Sequence, residues 1–100
     1  MHVITRSRLQ KFWTKHSEAE SSLCEWYKCV NSLEFTNFVE LRKDFPTADQ
    51  VGKLTIFNIA GNKYRLITFV DYRYQKVFIR DVLTHAEYDK EKWKRDPWNI

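Results

Sequence analysis

His85 and Tyr88 stand three residues apart where a strand-like run, Val77-Phe78-Ile79-Arg80-Asp81-Val82-Leu83, hands over to a helix-like one, and Arg80 precedes the histidine by five residues. An imidazole, a phenol and a guanidinium in one neighbourhood are the parts of a metal-free site for cutting a phosphodiester. In RNA the 2′-hydroxyl can attack the adjacent phosphorus. The step needs a base for that hydroxyl, an acid for the leaving 5′-oxygen and cations for the charge on the phosphorane. Thr84-x-x-Glu87 has capping-box spacing, so His85 falls in the first helical turn. Tyr88 and Asp89 follow at i+3 and i+4 and share its helical face. A helix N-terminus disfavours imidazolium and a bound phosphate favours it, a balance suited to a group that both accepts and donates a proton. A lone histidine at a helix start is otherwise a surface or capping residue, and a lone tyrosine a packing residue.

Cations must come from the strands. Side chains alternate faces along a strand, so Lys63, Arg65, Ile67 and Phe69 share one face of the run 64–72, and Tyr64, Leu66, Thr68 and Val70 the other. On the next run Lys76, Phe78, Arg80 and Val82 oppose Val77, Ile79, Asp81 and Leu83. The apolar sets Tyr64/Leu66/Val70 and Val77/Ile79/Leu83 suit a helix-covered face. Arg65 and Arg80 are then expected together on the open one. Two close arginines repel unless an anion neutralises them, and the guanidinium fork matches phosphate oxygens in pairs. The bland alternative is an arginine paired with Asp71, Asp89 or a helix C-terminus. Lys53, Lys63 and Lys76 are placed to meet backbone phosphates, and Asn58 and Asn62 are possible polar contacts, although Asn62 also reads as a turn residue. His2 and His16 have no companions and no assigned role.

The elements that position these groups follow from periodicity. Met1–Thr5 reads as a short strand. Leu9, Phe12 and Trp13 recur at i, i+3, i+4 and give a helix over about 6–16. Ser17-Glu18-Ala19-Glu20 matches a second capping box, heading a helix over about 18–31 with the stripe Leu23, Trp26, Tyr27, Val30. A short helix over about 37–44 stops before Pro46. Strands are expected at 54–59, 64–72 and 76–83, the first two joined by a hairpin with Gly61-Asn62 at its centre. A last helix runs from Thr84 to about Lys94, and 95–100 reads as a frayed, flexible tail. Helices early and a meander late imply an α+β fold, with helices on one face of an antiparallel sheet and the other face free.

Composition sets the limits. One hundred residues make a single domain, 1–100. The absence of a long apolar run excludes a membrane helix, and Met1–Arg6 lacks a signal peptide's apolar core, so a cytoplasmic address is expected. Cys24 and Cys29, five apart, fit neither a helical disulfide nor a common zinc spacing and read as reduced, semi-buried thiols. Net charge is +4. Residues 1–50 carry seven bases and seven acids, whereas 51–80 carry Lys53, Lys63, Arg65, Arg73, Lys76 and Arg80 against Asp71 alone. Excess positive charge on the sheet is the footprint of a polyanion site, against the plainer reading of lysines that protect a strand edge. A Gly-rich phosphate loop, a metal-ligand cluster and a Gly-x-Ser-x-Gly elbow are all missing, so no cofactor and no metal is expected.

The segments Asp49–Gly52, Phe57–Ile67 and Val77–Asp89, with the specific Thr84-His85-x-Glu87-Tyr88-Asp89 element and the opening Met1–Thr5, resemble the HigB group of RelE-like toxins over about residues 1–94. The resemblance implies a RelE/ParE-like fold and a type II toxin acting as an mRNA interferase, a metal-independent endoribonuclease that cuts mRNA on the translating ribosome. It implies a HigA-type antitoxin with a helix-turn-helix domain as partner. By likeness Arg65 and Arg80 take the transition-state charge, Lys53, Asn62, Lys63 and Lys76 contact RNA, and His85 with Tyr88 are the acid–base pair, which of them is base being left open. A non-catalytic ribosome-binding module and a gyrase-directed ParE-like toxin are the rivals.

Overall fold

The computed structural model describes residues 1–99. In chain order it contains β1 (His2–Ile4), α1 (Arg6–Lys15), a 3₁₀ turn (Ser17–Ala19), α2 (Glu20–Ser32), α3 (Phe38–Asp44), β2 (Asp49–Val51), β3 (Leu54–Ile59), β4 (Tyr64–Asp71), β5 (Lys76–Thr84), α4 (His85–Asp89) and a second 3₁₀ turn (Lys92–Arg95). The strands form one sheet in the order β1-β5-β4-β3-β2. β2 to β5 run antiparallel to their neighbours, and β1 joins β5 in parallel. The expected α+β architecture is thus present, with a parallel edge added by β1 and a short β2 that the sequence reading left in a loop.

Helices cover one face. Leu9 of α1, Leu23, Trp26 and Val30 of α2, and Leu41 of α3 are buried against Phe57, Ile59, Leu66, Val70, Val77, Ile79 and Val82. The i, i+3, i+7 spacing of the α2 residues is what turns them together toward the sheet. Asn37 caps α3 by accepting the Glu40 N–H at 2.9 Å. The Ser17 capping box does not form: a 3₁₀ turn occupies that position, and no side chain caps α2. Cys24 is half-buried and Cys29 exposed, so only the first matches the semi-buried reading, and both are free. No helix among the described residues is long and apolar enough to cross a membrane.

The opposite face is not free. Leu54, Ile56, Ile67, Leu83 and Trp93 form a second buried cluster there, flanked by Val51, Phe69 and Tyr88. The chain from α4 onward supplies its cover. The left-handed backbone of Glu91, φ 60°, breaks the expected long last helix into α4 and the second 3₁₀ turn. The segment 95–99, read from sequence as a frayed end, folds back: Trp98 packs edge-on against Phe69 and Phe78, and Asn99 Oδ1 accepts the Lys53 N–H at 2.9 Å. Leu54 and Ile56 alternate with Thr55 and Phe57, also buried, so β3 is apolar on both sides, the mark of a strand covered twice.

One irregularity sets the facing of β5. Asp81 lies opposite Ile67 and Ile79 opposite Thr68, so Arg80 is an extra residue, a β-bulge. The bulge shifts the alternation. Val77, Ile79 and Val82 point to the helices and Leu83 to the second cluster, which reverses the sequence assignment of Val82 and Leu83. Arg8 of α1 holds the bulge, its Nη1 donating to the carbonyls of Ile79 at 3.3 Å and Arg80 at 3.2 Å.

Candidate active site

The start of α4 is fixed by side chains the sequence made legible. Thr84 Oγ1 accepts the Glu87 N–H at 3.2 Å, and Glu87 Oε1 accepts the Thr84 N–H at 2.9 Å, a complete capping box. The hydrogen bond to Thr84 N–H holds the Glu87 carboxyl below its usual range. The His85 N–H donates to Lys63 O at 3.0 Å, which ties α4 to the β3–β4 hairpin turn. In that turn the left-handed residues are Ala60 and Gly61, one position earlier than the expected Gly61-Asn62 centre. His85 Nε2 lies 3.3 Å from Asp89 Oδ2, with both side chains more than half exposed. A carboxylate on Nε2 orients the ring and leaves Nδ1 directed elsewhere, available to a substrate proton.

Arg65 enters from β4, opposite Leu83 on β5 and Asn58 on β3. Its Nη1 donates to the carbonyls of Asn62 at 3.1 Å and Tyr64 at 3.3 Å, and Nη2 reaches Asn62 Oδ1 at 3.5 Å. The guanidinium sits 5.0 Å from the Tyr88 ring centroid, and Tyr88 stacks on Trp93 at 5.0 Å with 8° between the planes. Trp93 Nε1 donates to Tyr88 O at 2.9 Å and completes the stack. Among the described residues every partner of Arg65 is neutral. Its charge is positioned by the stack and the hairpin but not cancelled.

Arg80 shares the face of Arg65 but not its surroundings. The bulge residue lies three residues before Leu83 on β5, roughly 10 Å away at strand spacing. Its Nε donates to both Asp96 oxygens at 3.1 and 3.2 Å, and its guanidinium lies 4.2 Å from the Trp98 ring. Both charged side chains are largely buried, 19% and 16% exposed. The expected pair of repelling arginines is therefore not formed: one meets no acid among the described residues, the other is neutralised inside the chain by a residue the sequence reading placed in a loose tail.

The remaining candidates divide between the two ends of the sheet. Asn62 and Lys63 are exposed beside His85 and Arg65, and Asn58 Nδ2 contacts Asn62 Oδ1 at 3.5 Å. Lys53 lies at the β2–β3 turn beside Asn99. Lys76 starts β5, opposite Asp71 and His2, at the far end of that nine-residue strand from His85. It is outside the cluster.

Behind the site the Tyr64 hydroxyl donates to Glu18, which holds the Glu18 carboxyl down and the Tyr64 phenol up. His16, given no role from sequence, stacks on Phe12 at 4.5 Å and lies 5.8 Å from the Tyr64 ring. A cavity of about 620 Å³ between α1 and β5 is lined by Arg8, Lys11 and Lys15 of α1 and by residues 79–82 of β5, Asp81 among them. Pooling charge over residues 1–50 concealed this: residues 1–17 contain four basic residues and no acid, and 8, 11 and 15 share a helical face. Asp96 was also missed, and packing on the sheet or on a partner stayed open for Trp93 and Trp98, because long-range contacts from a polar C-terminus leave no periodic signal; the structure packs both on the sheet. No cluster of His, Cys, Asp or Glu among the described residues has the makings of a metal site.

Comparison with known proteins identifies the family. Residues 19–91 match the HigB toxin family, described as the RelE-like toxic component of a toxin–antitoxin system. The chain is 32% identical over 92 residues to the mRNA interferase toxin HigB of Escherichia coli K12, covering 89% of this chain and 88% of that one. The mRNA interferase HigB of Shigella flexneri is equally similar over the same shares. The mRNA interferase HigB of Escherichia coli O6:H1 is 26% identical over 93 residues, 90% of each chain.

Proposed function

The chain belongs to the HigB toxin family, and on that premise we propose that it is a toxin that cleaves mRNA at the α4 end of the sheet, with Arg65, His85 and Tyr88 as the reacting centre. The observation that carries this reading is Arg65, held by neutral groups only among the described residues, beside an exposed imidazole with its own carboxylate. In the reaction the 2′-oxygen bonds to phosphorus and the bond to the 5′-oxygen breaks. One proton leaves the 2′-hydroxyl and one must reach the 5′-oxygen. Asp89 orients His85 to accept the first, Arg65 meets the charge on the non-bridging oxygens, and Tyr88 is the group available for the second. Lys63 and Asn62 contact the strand beside the cut. Arg80 and Lys53 bind it further along, and Lys76 lies too far away for the same nucleotides.

The substrate is mRNA on the translating ribosome. The antitoxin is a HigA-type protein with a helix-turn-helix domain, and the toxin works in the cytoplasm. Mapping of mRNA 5′ ends shortly after induction tests the core of this. New ends inside reading frames, in phase with codons, are expected. Growth arrest with no new ends would refute cleavage and leave occupancy of the ribosome or another target. Because residues 51–80 concentrate positive charge, binding to RNA should weaken steeply as salt is raised. A flat response would point to an apolar, protein-directed interface.

A further inference from the structure

The Arg80 end of the same face raises a separate question: why a strand-borne arginine should be neutralised by the last residues of its own chain. Asp96 presents two carboxylate oxygens to Arg80 Nε at 3.1 and 3.2 Å, the kind of anionic contact a phosphate makes with a guanidinium. Trp98 lays a flat aromatic ring 4.2 Å from the guanidinium, as a stacked base does. The same ring packs at steep angles against Phe69 and Phe78, with centroids 5.4 and 4.9 Å away. Phe69 and Phe78 are paired residues of β4 and β5, only half-buried even with Trp98 in place. Aromatic side chains on adjacent strands beside an arginine are a surface on which single-stranded nucleic acid stacks. Trp98 itself is 36% exposed, so its cover over them is thin.

We infer that Arg80, Phe69 and Phe78 form a nucleotide-binding subsite, a phosphate on Arg80 and a base on the two rings, and that Asp96 and Trp98 occupy it until single-stranded RNA displaces them. The inference rests on the reading of this face as the RNA-binding one. Roughly 10 Å separates the subsite from Arg65 along the strands, so it takes a nucleotide near the cut and not the scissile phosphate itself. The second buried cluster ends at Trp93, whose indole is pinned to Tyr88, so residues 96–99 can leave without dismantling the stack that holds Arg65. Displacement exchanges one ion pair and one stacked ring for another of the same kind.

A 2′-O-methyl single-stranded oligonucleotide of about ten residues, within the usual site size, binds without being cut and is the probe. Asp96→Asn should tighten its Kd by about tenfold or more, since the internal competitor for Arg80 is removed. Trp98→Ala should tighten it as well, and Arg80→Ala placed on Asp96→Asn should return affinity to the wild-type level or below. Glu91→Gln controls for the loss of any one negative charge and should change affinity by less than about threefold, because Glu91 pairs only with exposed Lys94. Affinity unchanged or weakened in Asp96→Asn overturns the inference, as does weakening by Trp98→Ala, which would make that ring a permanent platform. Should Trp98→Ala fail to fold, Asp96→Asn decides alone. If no variant at Arg80 or Arg65 alters RNA affinity, the RNA reading of this face falls with it; if Arg65→Ala alone does, only the subsite falls.

Discussion

Arg65 and Arg80 project from neighbouring strands onto one face, and their surroundings are opposite. Arg65 is gripped by two carbonyls, an amide and a tyrosine ring, so its position is fixed while its charge stays available. Arg80 is gripped by a carboxylate, so its charge is spent within the molecule. A neutral cradle prepares a cation for an anion that arrives during a reaction, whereas an acidic one must first be broken. The contrast teaches that residue type and strand parity locate a cation but do not say whether it is available.

The largest effects should come from the uncancelled end. Arg65→Ala and His85→Ala are each expected to lower single-turnover cleavage of ribosome-bound mRNA by roughly 10²–10⁴, with circular dichroism unchanged. Arg80→Ala should lower it less, through binding. Equal losses at Arg65 and Arg80 would erase the distinction between the two ends. Tyr88 sharpens it next. Tyr88→Phe keeps the ring beneath the guanidinium and removes the hydroxyl, and Tyr88→Ala removes both. If the hydroxyl delivers the second proton, the two should be similarly slow; if the ring only holds Arg65, Tyr88→Phe should retain most activity. A pH–rate profile of Tyr88→Phe separates these further, because loss of an acid flattens the alkaline limb.

Smaller effects probe the frame. Thr84→Ala removes the side chain that accepts the Glu87 N–H and should cost about 1 kcal/mol in chemical denaturation, with a modest loss of cleavage as His85 loosens. The smallest concerns the Glu18–Tyr64 hydrogen bond. Glu18 is held below its usual 4.5, so its contribution is present above that value and lost as pH falls through the lower folded one. Tyr64 is held above 10.0, so its contribution is present below that value and lost as pH rises through the higher one. Stability should thus be level in pH between these limits as far as this pair is concerned. Glu18→Gln should soften the acid decline, measured by thermal melts from about pH 5 down to about pH 2, because the loss begins near an ordinary glutamate value and runs downward from it. An unchanged acid limb would show that Glu40 and Glu87, held down by hydrogen bonds from Thr36 and Thr84, dominate there.

The sequence disclosed what is local. The Thr84–Glu87 box, the stripe of α2 and the three meander strands depend on neighbours within a few residues, and spacing records such neighbours directly. His85 and Tyr88 were read onto one helical face from their spacing, whereas their position beside Asn62 and Lys63 rests on the hydrogen bond from His85 N–H to Lys63 O. What was hidden depends on contacts between distant residues. Arg80 and Asp96 are sixteen apart, and Asn99 meets Lys53 across forty-six. The Ser17 box shows the opposite error: the right letters at the right spacing, displaced by a 3₁₀ turn from which Glu18 bonds Tyr64. The bulge at Arg80 was likewise silent, since one added residue leaves a β-rich run looking unbroken.

That bulge also governs which changes of length the chain tolerates. Without the extra residue, alternation along β5 would continue unbroken. Ile79 and Asp81 already face consecutive residues of β4, so loss of Arg80 alone would leave Val82 toward the helices and Leu83 toward the second cluster. The strand would still deliver His85 in step with Arg65, and only the contacts of Arg80 itself would go. β3 and β4 carry no such slack: one residue removed from the middle of either exchanges the two faces of everything after it. In a population of variants a gap should be tolerated at the bulge of β5 before it is tolerated in those strands.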